Sequence, residues 1–332
     1  MTLEDSSRRR ALQSAAALAV AMAYSSLAAQ SEAFPRRPVR IVVGFPPGGS
    51  GDFIARVLSD LLAAEFRVPV LVDNRPGAGS NIASEVVARA EADGHTLLLG
   101  GNFSHAVNPV LFKKVSFDPL NDFTPITKIA DLPTIIAVNP ATNVKTLREL
   151  VRRAKAEPGR WNYSTPGLGT PSHLAGAMLG RVSGAQFTHI AYKGGGPAIT
   201  AAISGEVPLT IGTPPAVLPH LASGRLRALC LTTRSRSPVI PDIPGTEEAG
   251  LPGLDIQGWW ALWGPAKLPA AVRDRIHGAM LKVLDTPQAR GRFAREGLAI
   301  TTSRTPREFD LFVREQIPFW AKVVSDSGAV AE

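Results

Sequence analysis

A repeating pattern of short β-branched runs, glycine-rich loops and amphipathic helices constrains the fold of this chain more than any other sequence feature. Residues 39–44 predict a buried strand, and the loop 45–51 leads into a helix with apolar residues at helical spacing. Two more strands are predicted at 68–72 and 96–99. Strands that alternate with helices through short loops indicate an α/β fold with a parallel, doubly wound sheet.

The same alternation restarts after Asn139-Pro140 and continues to about residue 232, which predicts a second α/β unit. A proline-rich stretch, a strand and a mostly helical remainder follow. We therefore expect a first lobe formed by residues 34–137 and 257–332, with the second lobe, 138–256, inserted into it. Ligands of open parallel sheets bind at the carboxyl ends of the strands, so two such lobes predict a cleft between them.

The first 33 residues have the order of a cleavable signal peptide. A basic cluster at 8–10 precedes an alanine-rich apolar run at 11–23, and small residues follow. Cleavage before Ala29 and cleavage before Phe34 both fit the requirement for small residues one and three positions before the cleaved bond. The paired arginines leave both the general secretory and the twin-arginine route open. The run is too short for a transmembrane helix, so we expect a cleaved signal and an exported mature protein.

Composition excludes several classes of protein. Of the 332 residues, 45% are hydrophobic and 19% are charged, as in an ordinary globular chain. The single cysteine, Cys230, excludes a disulfide framework and a cysteine-cluster metal site, and we expect no cofactor and no metal. The formal net charge is +8 with scattered arginines, which argues against nucleic-acid binding. A mildly positive field favours an anionic small molecule, although a compositional bias toward arginine explains the charge at least as well.

Two glycine-rich loops at strand ends are the strongest candidates for a binding site. The loops 45–52 and 165–172 each lead into a helix, whose free N–H groups and positive dipole end suit a carboxylate. Each loop alone is more typical of an ordinary turn between a strand and a helix, but the pair in a two-lobed exported protein favours binding. Two opposed anion sites suit a dicarboxylate, or one carboxylate with a polar tail.

Several short motifs occur in series along most of the chain. They are PVRIVVGFPPGGSGD at 38–52, DNRPGAG at 73–79, DGHTLL at 93–98, HIAYKG at 189–194, LPH at 218–220, GRLRAL at 224–229 and EAGLPG at 248–253. Together they resemble the Bug family, the periplasmic substrate-binding proteins of tripartite tricarboxylate transporters. The resemblance spans roughly residues 34–329.

That resemblance implies a two-lobed periplasmic binding protein fold of type II, with a doubly wound sheet in each lobe. It implies capture of a small carboxylate between the lobes, either a di- or tricarboxylate or an aromatic or other organic acid, and delivery to membrane transporter subunits. The ligand-binding residues that it and the loops indicate, with no catalytic residue, are Phe45, Pro46, Gly49, Ser50, Asp52, Ser104, His105, Thr165, Gly169, Thr170, Ser172 and His173. We expect a monomer, and a ligand-loaded partner of a membrane sensor kinase is an alternative.

One position departs from the family pattern. Many relatives place an acidic residue where this chain has Gly212, and a carboxylate there could hold the ammonium group of an amino acid. Its absence argues against an amino-acid ligand. It favours a carboxylate whose remaining part is uncharged or aromatic, and Phe103 favours the same ligand. Trp259, Trp260 and Trp263 are expected to pack mainly in the core of the first lobe.

The sequence contains no established enzyme motif. Segment 48–52 has Asp where a nucleophile elbow needs its last glycine, and there is neither a His-Glu-x-x-His nor a Walker motif. The enzyme alternative is a secreted α/β hydrolase that uses Ser50 with His105 or His173. We expect a binding protein rather than an enzyme, with Cys230 an inert thiol in the core.

Overall fold

The computed structural model describes residues 34–329, which contain two β-sheets flanked by helices. The chain divides into two compact units, Met1–Arg36 and Arg37–Glu332, and both sheets lie in the second unit. The signal peptide predicted for residues 1–33 lies outside the described residues. None of the helices between residues 34 and 329 combines the length and the apolar character that a membrane span needs.

The elements of residues 34–329 alternate along the chain. The strands are β1 (Val39–Val43), β2 (Val70–Asn74), β3 (Thr96–Gly101), β4 (Phe123–Leu132), β5 (Ile135–Val138), β6 (Asn162–Thr165), β7 (Thr188–Ala191), β8 (Leu209–Gly212), β9 (Arg227–Leu231), β10 (Gly258–Pro265) and β11 (Ala299–Ile300). The helices are α1 (Ser50–Phe66), α2 (Asn81–Ala88), α3 (Asn108–Leu111), α4 (Leu147–Ala156), α5 (Pro171–Ser183), α6 (Gly195–Ser204), α7 (Pro214–Ala222), α8 (Ala270–Leu284), α9 (Pro287–Arg295) and α10 (Pro306–Ser327). A π-helical turn at Phe103–Val107 precedes α3.

Both sheets follow one scheme. The first has the order β11-β4-β10-β3-β1-β2, and the second has the order β7-β6-β8-β5-β9. In each, three parallel strands are followed by one antiparallel strand, β10 or β5, and then by a strand parallel to the first three. The sheets are therefore mixed, whereas the sequence predicts parallel ones. The reason is that β5 and β10 each enter their sheet directly after the chain has crossed from the other sheet.

The chain crosses between the sheets twice, and each sheet with its helices is called a lobe below. The first crossing lies at 132–135, before the position near 138 that the sequence indicates. The second lies between β9 and β10. The two crossing segments are bonded to each other, because the Thr134 and Thr232 hydroxyls lie 2.8 Å apart and the Thr232 hydroxyl donates to the Ile256 carbonyl at 2.8 Å. These buried bonds tie the two connections into one hinge.

Local sequence explains the elements that position the loops between the lobes. In α1, Ile54, Leu58 and Leu62 recur every four residues and are fully buried, so one apolar face packs on the first sheet. β1 is buried over nearly its whole length, which suits its run of β-branched residues in a sheet covered by helices.

The C-terminal helix α10 packs into both lobes. Phe309 and Val313 belong to a core cluster with Trp259 of the first sheet. Two turns further on, Trp320 belongs to a second cluster, which includes Tyr163 of the second sheet. The helix therefore joins the two cores, although the sequence assigns the whole C-terminal segment to the first lobe.

Candidate ligand-binding site

A cavity lies between the two lobes, where loops leave the carboxyl ends of their strands. The empty space between its walls, counted together with the adjoining open solvent, is about 450 Å³. Its lining residues are Phe45, Pro46, Gly49, Ser50, Gly51, Phe103, Leu132 and Trp260 from the first lobe, and Pro166, Thr170, Pro171, Ser172, Gly195 and Thr213 from the second. This is the position that the alternation of strands and helices predicts for a ligand.

Four helices begin at this cavity. α1 begins at Ser50, α5 at Pro171, α6 at Gly195, and α7 directly after Thr213. The first turn of a helix leaves N–H groups without partners inside the helix and carries partial positive charge. Four positive helix ends therefore border one space, which favours an anion.

The four helix starts differ in the donors that they leave for a ligand. Gly49 caps α1 and Gly194 caps α6, and no side chain of the described residues caps either first turn. In α5 the Thr170 hydroxyl accepts the N–H of His173 at 3.3 Å, and Pro171 has no N–H. α7 begins with two prolines. α1 and α6 therefore offer N–H donors, whereas α5 and α7 contribute mainly their dipoles.

Asp52 lies in the first turn of α1 but does not line the cavity. Its Oδ2 accepts the Gly48 N–H at 3.2 Å and the Arg56 Nε–H at 2.9 Å. Burial raises the pKa of this carboxyl, but the hydrogen bonds from Arg56 and Gly48 outweigh burial and hold the pKa below its ordinary value. The pair fixes the loop before α1, and Arg56 neutralises a carboxylate that would otherwise oppose an anionic ligand.

Two buried donors at the cavity have no hydrogen-bond partner among residues 34–329. They are the hydroxyl of Ser172, which is 1% exposed, and the indole N–H of Trp260, which is 2% exposed. Both residues line the cavity. An unpaired buried polar group costs about 1–3 kcal/mol, so these two donors mark where a polar ligand or a water completes the bonding.

Three aromatic rings from distant segments form one wall of the cavity. The ring centroids of Phe45 and Phe103 lie 5.1 Å apart, those of Phe45 and Trp260 lie 6.0 Å apart, and those of Phe103 and Trp260 lie 4.9 Å apart. All three pairs meet edge to face, the arrangement that aromatic quadrupoles favour. None of the residues that line the cavity carries a charged side chain.

The structure brings six of the twelve predicted ligand-binding residues to the cavity. These are Phe45, Pro46, Gly49, Ser50, Thr170 and Ser172. The residues that do not line it are Asp52, Ser104, His105, Thr165, Gly169 and His173. Ligand contact by any of the twelve stays a prediction, and the second six make other contacts in the structure.

Ser104 and His105 are fully buried in the first lobe. The Ser104 hydroxyl lies 2.8 Å from Nδ1 of His105, and the imidazole stacks on Trp263 with ring centroids 3.6 Å apart. Burial lowers the pKa of His105 to about 3, so the ring is neutral at neutral pH. A neutral imidazole offers no cationic partner to a carboxylate.

Thr165, Gly169 and His173 hold the loop that precedes α5. The Thr165 hydroxyl accepts the Gly167 N–H at 3.2 Å and lies 2.6 Å from Nε2 of His189. The Gly169 N–H donates to Nδ1 of His173 at 3.3 Å. His173 stacks on His189, and burial followed by the neighbouring His189 lowers the pKa of His173 to about 3. The polar groups of this loop are therefore largely used by the loop itself.

Glycines let the lobes approach each other beside the cavity. Gly169 has a φ of +74°, and a Cβ there would lie 2.5 Å from Oδ1 of Asn108 in the first lobe. Gly194 has a φ of +112°, and a Cβ there would lie 3.1 Å from Cγ of Pro46. The left-handed backbone and the short distances both disfavour any larger residue. The two lobes are thus in close contact around the cavity.

A wider cleft lies next to the cavity and shares Phe45, Pro46 and Pro166 with it. Its empty space, counted together with the adjoining open solvent, is about 930 Å³. Its lining includes the glycine-rich segment 76–80 and one charged residue, Lys193. Phe45 and Pro46 therefore separate an uncharged inner cavity from an outer cleft with a cation.

Sequence analysis does not assign Trp260 to the site, although strand geometry contains the signal. Successive side chains of a strand point to opposite faces, so Trp259 and Trp263 share one face of β10 and Trp260 takes the other. Trp259 and Trp263 pack on Phe309 in the core, as expected. Trp260 instead meets Phe103 at the cavity.

The geometry does not favour the hydrolase alternative. Ser50 lines the cavity, but no hydrogen bond joins it to His105 or His173 in the described part of the chain. No group of three or more His, Cys, Asp or Glu residues between 34 and 329 could hold a metal ion. Burial raises the pKa of the Cys230 thiol to about 12, so this thiol stays protonated at neutral pH.

Comparison with known families gives a match over most of the chain. The family model described as the tripartite tricarboxylate transporter family receptor, TctC, matches residues 54–328. Protein BugT of Bordetella pertussis is 33% identical over 317 residues, which cover 95% of this chain and 97% of BugT.

Two solved structures are similar to this one. A protein of R. palustris solved with adipate has a TM-score of 0.87 at 30% identity, over 90% of this chain and 99% of that one. The periplasmic binding protein BugD has a TM-score of 0.84 at 30% identity, over 90% of this chain and 100% of BugD. Both confirm the two-lobed α/β fold of a periplasmic binding protein. The chain belongs to the tripartite tricarboxylate transporter receptor family that its motifs resemble, and it is a receptor rather than an enzyme.

Proposed function

We propose that this receptor captures a small carboxylate in the cavity between its lobes and delivers it, in the periplasm, to the membrane subunits of a tripartite transporter. One observation carries the proposal: four helix N-termini converge on a cavity without charged side chains, where the donors of Ser172 and Trp260 have no partner among the described residues. The adipate held by the R. palustris relative supports the same class of ligand.

The charge of such a ligand is balanced by the backbone. Each helix N-terminus carries about half a positive charge, so several of them together can stabilise a carboxylate without an arginine. α1 belongs to the first lobe and α6 to the second. A carboxylate that accepts N–H bonds from both helices contacts both lobes at once, and its binding therefore favours the closed arrangement.

Binding is tested by calorimetry with a panel of carboxylates, after native mass spectrometry of freshly purified protein has identified any ligand that co-purifies. We expect one saturable site per chain. The matched control for each acid is its primary amide, which has nearly the same shape and no charge. Amides that bind as tightly as the acids would contradict the anion site.

We also propose that the chain is exported through residues 1–33 and acts in the periplasm. The two lobes that we propose to close on the ligand meet between β4 and β5, at 132–135, and again between β9 and β10. Sequencing the amino terminus of protein from a periplasmic fraction should return a start at Ala29 or Phe34. An uncleaved amino terminus there would contradict the signal peptide.

Delivery is tested by uptake of the labelled ligand into vesicles that contain the membrane subunits of a tripartite transporter. Uptake should depend on added receptor and should be lost when the receptor cannot bind ligand. A ligand-loaded receptor that supports no uptake but retains a sensor-kinase ectodomain in a pull-down would favour the signalling alternative.

A further inference from the structure

We propose that the ligand of this cavity is an aromatic monocarboxylate, a flat ring that carries one carboxylate, with benzoate as its simplest probe. This inference rests on the function proposed above, because it concerns the same cavity. It follows from the way in which donors, aromatic rings and charges are distributed over the lining.

The lining has donors for one carboxylate. The uncapped first turns of α1 and α6 begin at Ser50 and Gly195, and the unpartnered hydroxyl of Ser172 adds a third donor group. Together these groups can saturate the lone pairs of one carboxylate.

The rest of the first-lobe wall is apolar. Phe45, Phe103 and Trp260 form the edge-to-face cluster, and Leu132 lines the cavity beside them. A flat aromatic ring placed against this wall adds a fourth member to the cluster, with favourable edge and face contacts that a saturated chain cannot make. The unpartnered indole N–H of Trp260 can in addition donate to a polar substituent of the ring.

A second charge on the ligand has no counterpart inside the cavity. No lysine or arginine lines it, and the uncapped N–H groups of α1 and α6 serve the first carboxylate. The second carboxylate of a dicarboxylate would be left with the dipoles of α5 and α7 and with aromatic carbon, which is unfavourable. The ammonium group of an amino acid meets the same difficulty, since no acidic residue lines the cavity. At Gly212 an acidic side chain would have no room, because a Cβ there would lie 2.7 Å from Cγ2 of Val217.

The competing arrangement is a longer dicarboxylate that extends past Phe45 into the outer cleft and reaches Lys193. Adipate is the probe for it. The two arrangements differ in the residue on which affinity depends: the aromatic ligand needs the ring of Phe45, and adipate in this arrangement needs the charge of Lys193.

Calorimetry on the mature receptor should compare benzoate, cyclohexanecarboxylate, adipate and citrate. We expect benzoate to bind at least tenfold more tightly than adipate or citrate, and about threefold to tenfold more tightly than cyclohexanecarboxylate, which has the same charge but no aromatic ring. In Phe45→Leu the preference for benzoate over cyclohexanecarboxylate should decrease, since one of the three rings of the wall is lost while Phe103 and Trp260 remain. Phe319→Leu is the matched control, since this exposed ring of α10 does not line the cavity.

Two other outcomes separate this inference from the proposed function. If adipate binds at least as tightly as benzoate and Lys193→Gln weakens adipate, the ligand class is wrong and the carboxylate receptor stands. If no carboxylate in the panel binds, while the variants and the wild type melt at the same temperature, the proposed function fails and the inference fails with it. Equal binding of benzoate and cyclohexanecarboxylate would overturn the role of the aromatic wall.

Discussion

Proline at the first position of a helix removes one N–H group and leaves the remaining helix intact, so it tests the backbone donors of the cavity directly. We expect Ser50→Pro and Gly195→Pro to fold. Gly49, which precedes Ser50, has a φ of −104° and a ψ of −179°, an extended geometry that suits the residue before a proline. A Cβ at Gly195 would lie 3.5 Å from the Cβ of Ala216, an ordinary contact.

The size of the effect follows from the kind of bond that is lost. A hydrogen bond to a charged group contributes about 1.5–3 kcal/mol, so each proline should weaken carboxylate binding by about 10-fold to 150-fold. Ser50→Ala keeps the N–H and removes one neutral hydroxyl, which contributes about 0.5–1.5 kcal/mol and predicts a loss of about twofold to tenfold. Ala270→Pro is the matched control, because it places proline at the first position of α8, where the residue is exposed and distant from the cavity lining.

The assay is calorimetric titration of the four variants with the tightest carboxylate of the panel, with a thermal melt of each variant as a check of folding. If Ser50→Pro and Gly195→Pro bind within about threefold of Ala270→Pro, which would be under ~1 kcal/mol, the backbone anion site is refuted. Proline at Gly169 would not serve this purpose. Its φ of +74° is inaccessible to proline and its N–H already bonds His173, so that variant would perturb the loop itself.

The buried side chain of His105, the hinge between the lobes and Gly212 each give a further prediction. The pKa of His105 lies at about 3 in the folded chain, below its unfolded value, so the unfolded state binds the proton first and stability falls as pH drops from about 6.5 toward 3. Urea titrations should show a loss of about 2 kcal/mol from this residue between pH 7.5 and pH 5, and His105→Gln should reduce it. Small-angle scattering should show a smaller radius of gyration at ligand saturation, and an unchanged radius would contradict closure. Gly212→Asp should lower the melting temperature, through its contact with Val217, without creating amino-acid binding.

The loops and helices that border the cavity could be predicted because their determinants are contiguous in the sequence. Residues 39–44, the glycine-rich loop and the apolar spacing of α1 together specify a strand, a turn and a helix start. Because ligands of open parallel sheets bind at the carboxyl ends of the strands, the loop of each lobe is then expected at the cleft. The helix α8, Ala270–Leu284, likewise lies in the C-terminal part that the sequence predicts to be mostly helical.

The aromatic wall and the strand order could not be predicted in this way, since they depend on pairs of residues far apart in the chain. Trp260 reaches Phe103 only because β10 pairs antiparallel with β3, across about 160 residues. The antiparallel direction of β5 and β10 results from the two crossings between lobes, which leave no local pattern. The burial of Ser104 and His105 likewise depends on Trp263, which packs on the imidazole from β10.

The loops of the second lobe differ in how their side chains use the N–H groups of the helix that follows. The hydroxyls of Thr165, Thr170 and Ser172 add polar groups to the expected anion site before α5, but short polar side chains near a helix start also bond the adjacent backbone. Thr165 and Thr170 do so here. α6 begins with Gly195-Gly196-Pro197, so no side chain of its own first turn bonds the N–H groups of the two glycines, and these stay available to a ligand. In a chain of this kind, a helix that follows a strand and begins without a capping side chain is therefore the better prediction of a backbone anion site, and Gly195→Pro should weaken binding more than Thr170→Ala.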